Sequence, residues 1–164
     1  FEGELPTVDD WADHLTTLFP EVRLKRFLEM RGADGGRWGT IAALSAFWTG
    51  ILYDETALEH AWRMVRDWTD EEREELRNSV PKSALATRFR SLTVRDLARQ
   101  ALRISRIGLK NRGRINSRNQ DETVYLAPLE RFAGNGRTLA DELLRRYSGD
   151  WHGNIDHIFE EFAF

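Results

Sequence analysis

Apolar positions along the chain recur mostly at helical spacing, and the stretches between them carry helix start signals. Thr7 and Asp10 form a capping box three residues apart, which predicts a short helix running to about Phe19, with Pro20 ending it. Thr56 with Glu59, Thr69 with Glu72, Thr93 with Asp96 and Thr138 with Asp141 repeat the signal. These predict helices to about Trp68, up to Pro81, to about Asn111 with Gly113 as stop, and to about Tyr147. Residues 38–53, WGTIAALSAFWTGILY, are apolar nearly all round, the mark of a helix buried on most sides. Trp38, Phe47 and Trp48 within it read as core. Residues 122–133 predict a helix despite Pro128, and residues 155–162 a last short one. Phe1–Pro6 reads as loop, and residues 112–123 as the most mobile loop of the chain.

One stretch breaks the helical pattern. Residues 21–36, EVRLKRFLEMRGADGG, alternate as a strand does, and the rest of the chain offers no second convincing strand. Side chains on a strand point alternately to two faces. Val22, Leu24, Leu28 and Met30 then share one face, which Arg26 interrupts, while Lys25, Phe27, Glu29 and Arg31 share the other. Glu29 and Arg31 are two residues apart, about 6.6 Å at strand rise. A carboxylate and a guanidinium so placed can flank one polyphosphate, the first on a divalent metal and the second on a phosphoryl oxygen. An ordinary solvated strand edge carries the same pattern. Gly32, Gly35 and Gly36 then offer positive φ for a turn against the next helix.

Composition narrows the classes. A chain of 164 residues holds one core, or is part of a larger one. A net charge of −3 gives no global field for nucleic acid, and no apolar run reaches membrane-spanning length. There are no cysteines, hence no disulfide framework and no thiolate metal site. No signal peptide is present within these residues, and a cytoplasmic protein is expected. Between Arg88 and Arg118 stand ten Lys or Arg against the single acid Asp96. Arg95, Arg99, Arg103, Arg106 and Lys110 line one face of a helix over 94–111. That face reads either as a surface for nucleic acid or an acidic partner, or as a solvated face offsetting the acids of residues 70–75. His14, His60, His152 and His157 have no metal-ligand spacing.

Residues 14–36, HLTTLFPEVRLKRFLEMRGADGG, resemble the signature of glutamate–cysteine ligases of the plant and proteobacterial type. The resemblance continues through Ala46-Phe47-Trp48, Leu52-Tyr53-Asp54, Asp67-Trp68-Thr69 and residues 159–162, FEEF, and departs from the expected pattern at Arg37, where proline is usual. It implies a mainly α segment, the helical C-terminal part of a glutamine synthetase-like α+β ligase, with one active-site strand over about 22–30. Residues 1–36 would supply cap helix, strand and Gly-rich turn, and residues 37–164 a helical region. By the same resemblance Glu29 would be a Mg²⁺ ligand and Arg31 would contact the transferred phosphoryl group. ATP, glutamate and cysteine would be the substrates, with no nucleic acid and no membrane as partners. A lone strand cannot satisfy its own backbone, so its sheet is expected upstream of Phe1 in a longer polypeptide. Alone, the segment is expected to be catalytically silent, and its unpaired strand would invite a second copy.

Overall fold

A computed structural model describes Gly3 and residues 5–162. It divides into two compact units, residues 1–35 and residues 36–164. Helices dominate, as expected, and the sheets are small.

The first unit holds helix α1 (Val8–Thr16) and strands β1 (Val22–Leu24) and β2 (Leu28–Met30). Thr7 caps α1 through the expected box: its hydroxyl accepts from the Asp10 N–H and Asp10 accepts from the Thr7 N–H. The loop expected over residues 1–6 lies partly outside the described residues.

The single strand expected over 22–30 is two strands folded back on each other. They pair antiparallel, Val22 opposite Met30, Arg23 opposite Glu29 and Leu24 opposite Leu28. The turn is Lys25–Phe27, with the Lys25 N–H donating to the Phe27 carbonyl at 2.9 Å. A three-residue hairpin loop is a common solution where charged residues interrupt an alternating run. Each strand therefore finds a partner inside the chain, and the premise of an unpaired strand does not hold.

The second unit contains α2 (Trp38–Leu52), α3 (Glu55–Val65), α4 (Asp70–Ser83), α5 (Val94–Arg112), α6 (Ala127–Asn135), α7 (Leu139–Ser148) and α8 (His157–Glu161). Thr69, Thr93 and Thr138 cap α4, α5 and α7 with both halves of each box formed. α3 starts two residues earlier than expected, because Asp54 is the N-cap in place of Thr56 and accepts from the Ala57 N–H at 2.8 Å. Pro81 lies inside α4 instead of ending it. Pro128 sits in the first turn of α6, where a missing N–H costs nothing.

The core forms where α2 and α5 cross, with Ala46, Leu102, Leu109, Leu126 and Ala133 at its centre. Ser105 is fully buried there, and its hydroxyl donates to the Phe47 carbonyl at 2.9 Å. The crossing is closest at Gly50 and Gly108. A Cβ placed on Gly108 would lie 1.8 Å from the Gly50 carbonyl oxygen, and one on Gly50 would lie 2.3 Å from the Ser105 carbonyl oxygen. α2 is nevertheless less enclosed than its composition suggests: Ala43, Ala46, Gly50 and Ile51 are buried, but Trp38 is 69% exposed. Trp38 sits at the helix start and is not core.

A second small hairpin, β3 (Arg88–Phe89) and β4 (Leu92–Thr93), was not visible in the sequence. Its two-residue loop puts Arg90 at φ +52°, a conformation that two-residue hairpin loops require. Arg90 is anchored there by side-chain contacts. It donates to Glu72 through Nε at 2.7 Å and Nη2 at 2.6 Å, and to the Asp67 carbonyl at 2.8 Å. The Arg90 hydrogen bonds are the main reason the Glu72 carboxyl is held down at about 2, against an ordinary value of 4.5. A depressed carboxyl contributes stability above its unfolded pKa and loses it as pH falls through the folded one. The melting temperature is therefore expected to fall between pH 4.5 and about 2. Arg90→Gln should flatten that fall, measured as the Tm difference between pH 6 and pH 3. An equal fall in both proteins would show that the pair carries none of it.

Residues 112–123, expected to be mobile, are organised. Ile115 bridges Asp121, the Asn116 side chain accepts from the N–H groups of Arg118 and Gln120, and Arg112 pairs with Glu122 at 2.9 Å.

Candidate active site

The hairpin of the first unit presents the charged face expected of it. Strand alternation puts Arg23 and Glu29 on one side as a directly opposed pair, with Arg31 following on the same side. Arg23 donates to Glu29 Oε2 from Nε at 2.8 Å and from Nη2 at 2.7 Å. Arg31 Nη1 lies 3.7 Å from the same oxygen. Glu29 and Arg31 are thus together, as the two-residue spacing predicted.

Arg23 is the residue the sequence reading missed. A continuous strand would place it two positions before Lys25 with nothing to pair to. Only the fold-back brings it opposite Glu29. The signal was available: two opposite charges flanking a short charged loop inside an alternating run favour each other across a hairpin.

The hydrogen bond from Arg23 is the main influence lowering the Glu29 carboxyl below its ordinary range, with Arg23, Arg31 and Lys25 adding charge attraction against some desolvation. Glu29 is therefore an anion at neutral pH. Arg31 is held on two sides. Its N–H donates to the Glu21 carbonyl at 2.8 Å, and its guanidinium lies over the Phe19 ring at 4.7 Å. Stacking leaves the edge of a guanidinium free for an oxyanion.

The glycines that follow do not act as expected. None of Gly32, Gly35 and Gly36 takes positive φ, and a Cβ on Gly32 or Gly35 would meet open space. Among the described residues no group of three or more His, Asp or Glu side chains is placed to hold a metal ion. Mg²⁺ commonly takes one or two carboxylates and completes its shell with phosphates and water, and Glu29 would offer one such carboxylate.

Three cations of the basic face of α5 are taken up within the chain, while Arg103 and Lys110 stay exposed. Arg95 and Arg99 donate to the Ala133 carbonyl through Nε at 2.9 and 3.0 Å, and both reach Gly134 as well. Arg106 pairs with Glu130. Arg95 and Arg99 thus close the C-terminal end of α6, where unpaired carbonyls and the helix dipole favour positive charge.

Residues 2–161 match the family described as Glutamate-cysteine ligase family 2. The chain belongs to the glutamate–cysteine ligase family. Among similar proteins are glutamate–cysteine ligase A, chloroplastic, of Oryza sativa subsp. indica, 49% identical over 162 residues, and the chloroplastic glutamate–cysteine ligases of Medicago truncatula at 48% and Arabidopsis thaliana at 45%. Each match covers 99% of this chain and 32%, 31% and 30% of the relative, respectively. The chain spans about a third of the length of the glutamate–cysteine ligases it matches. The expected cytoplasmic placement is overturned, since these relatives are named as chloroplastic. That placement was argued from the lack of a signal peptide in these residues, and a protein's address need not lie in the stretch under view. Among the described residues no helix is long and apolar enough to cross a membrane.

Proposed function

We propose that this chain is part of an ATP-dependent ligase that joins the γ-carboxylate of glutamate to the amine of cysteine, the first step of glutathione synthesis. Family membership over residues 2–161 is the observation that carries the reading. The face formed by Arg23, Glu29 and Arg31 supports it.

In this chemistry a γ-carboxylate oxygen of glutamate attacks the terminal phosphorus of ATP, and ADP leaves. The cysteine amine then attacks the acyl carbon of the γ-glutamyl phosphate. Inorganic phosphate departs and the new amide nitrogen loses a proton. Negative charge on the phosphoryl oxygens must be neutralised through both steps. Arg31, stacked on Phe19, would hold one phosphoryl oxygen with its free edge. Glu29, kept ionised by Arg23, would hold Mg²⁺, which supplies further neutralisation of the phosphates when bound. Arg23 orients Glu29 and sets its charge, and needs no contact with substrate.

The test is phosphate release in an enzyme of the relatives' full length that contains this chain. Release should require glutamate, cysteine, ATP and Mg²⁺ together, and Glu29→Gln should raise the Mg²⁺ concentration needed for half-maximal rate. Release that ignores cysteine and glutamate would refute the reaction assigned. An unchanged Mg²⁺ requirement would refute the role of Glu29. The 164-residue chain alone should release none.

A further inference from the structure

One cavity of the second unit is lined by four guanidiniums, of which only that of Arg146 has a carboxylate in ion-pair contact among the described residues. It has a volume of about 270 Å³. Arg37, Arg131, Arg137 and Arg146 line it, with one carboxylate, Glu142, and the rings of Phe132 and Phe162. Glu142 is already committed. It accepts from Arg146 at 2.8 Å and pairs with Arg145 at 3.4 Å, and these bonds hold its carboxyl at about 2. Glu161, the next acid, takes Arg146 and the Trp151 indole N–H. Arg37, Arg131 and Arg137 are left without a carboxylate partner among the described residues.

Asp141, in the first turn of α7, feels the charge of Arg137, but its carboxylate is bonded to the N–H and hydroxyl of Thr138. Gly134, at the C-terminal end of α6, already accepts from Arg95 and Arg99 at its carbonyl. The first turn of α7 enters the cavity wall through Thr138 and Leu139, and a helix start carries partial positive charge. Arg37 lies 4.0 Å over the Phe162 ring, with Arg146 at 5.5 Å from the same ring. A stacked guanidinium keeps its planar fork available at the edge. The Arg137 N–H donates to the Asn135 side chain at 2.9 Å, which fixes the loop that carries it.

From these observations we infer that the cavity between α2, α6 and α7 binds an oxyanion, a phosphate group either free or as a monoester of a small molecule whose body rests on Phe132 and Phe162. Clustered guanidiniums suit such a group because each offers two parallel N–H donors to its oxygens.

The experiment is calorimetric titration of the chain with inorganic phosphate and with AMP at fixed ionic strength. Saturable one-to-one binding is expected. Arg131→Gln and Arg137→Gln should each weaken it about tenfold, the worth of one hydrogen-bonded charge. Arg118→Gln, an exposed arginine away from the cavity, should leave it unchanged. Tighter binding of AMP assigns a monoester, and equal binding assigns free phosphate; both uphold the oxyanion site. Should a glutamine variant fail to fold, Arg137→Lys keeps the charge and loses the fork, and an affinity below wild type is expected. No saturable binding by the wild type overturns the proposal. So does unaltered affinity in the Arg131 and Arg137 variants, or an equal loss in the Arg118 variant.

Discussion

Gly108→Val is expected to leave little folded protein. Even the single Cβ of alanine at this position would meet the Gly50 carbonyl oxygen at 1.8 Å, the Gly50 carbonyl carbon at 2.8 Å and the Ala57 Cβ at 3.0 Å. The first two are backbone atoms of a helix and cannot rotate away. α5 would have to move off α2, and that crossing carries the core. Overpacking typically costs about 1–3 kcal/mol where flexible side chains give way, and more where they cannot. Small domains are stable by only about 5–15 kcal/mol, so a loss at or above 3 kcal/mol is severe. Thermal unfolding followed by circular dichroism checks this. Gly108→Ala should already lower Tm by many degrees and Gly108→Val should give insoluble or unfolded protein. A Gly108→Ala chain melting with wild type would mean that the crossing is looser than described. Gly113 serves as the contrast: it caps α5 at φ +60° with open space around it, so alanine there is strained by backbone conformation alone.

Arg31→Lys, in the complete enzyme, is expected to lower turnover about 10²–10³-fold, the usual loss when one preorganised charge-stabilising group is removed. Lysine retains the charge. It loses the plane that lies over Phe19 and the fork that would meet a phosphoryl oxygen. Arg31 is a quarter exposed and makes only a long contact with Glu29, so its replacement should leave Tm within a few degrees of wild type. The combination to look for is therefore low kcat with preserved stability. Turnover equal to wild type would remove Arg31 from the proposed mechanism, and a matching fall in Tm would make its role structural.

Much of the helical architecture was legible because its signals are local. A threonine and an acid three residues apart satisfy each other's backbone groups wherever they stand, and Thr7, Thr69, Thr93 and Thr138 did so. Thr56 failed because Asp54, two residues earlier, starts the helix by accepting from the Ala57 N–H, which leaves Thr56 inside the first turn. What escaped depended on partners distant in sequence. Gly50 and Gly108 look unremarkable separately, and only the crossing makes them indispensable. The α5 arginines were correctly placed on one helical face, but nothing local says that the carbonyls of Ala133 and Gly134 lie opposite. At the candidate site, the pairing of Glu29 with Arg31 was readable from their spacing, whereas Arg23 needed the turn. The division into faces survived the error about the strand. A loop of three residues between Leu24 and Leu28 pairs odd positions with odd and even with even, so every side chain keeps the side a straight strand would have given it.

That same parity makes the hairpin tolerant of one kind of genetic change and intolerant of another. Substitutions at Lys25, Arg26 or Phe27 alter the loop's chemistry without touching the order of faces. A single codon gained or lost there shifts one strand by one position against the other. Glu29 would then turn to the side of Val22 and Leu24, and Arg23 would face an aliphatic neighbour instead of a carboxylate. The segment can thus drift in composition while its length stays fixed, and gaps in this loop are what an alignment of functional relatives should lack.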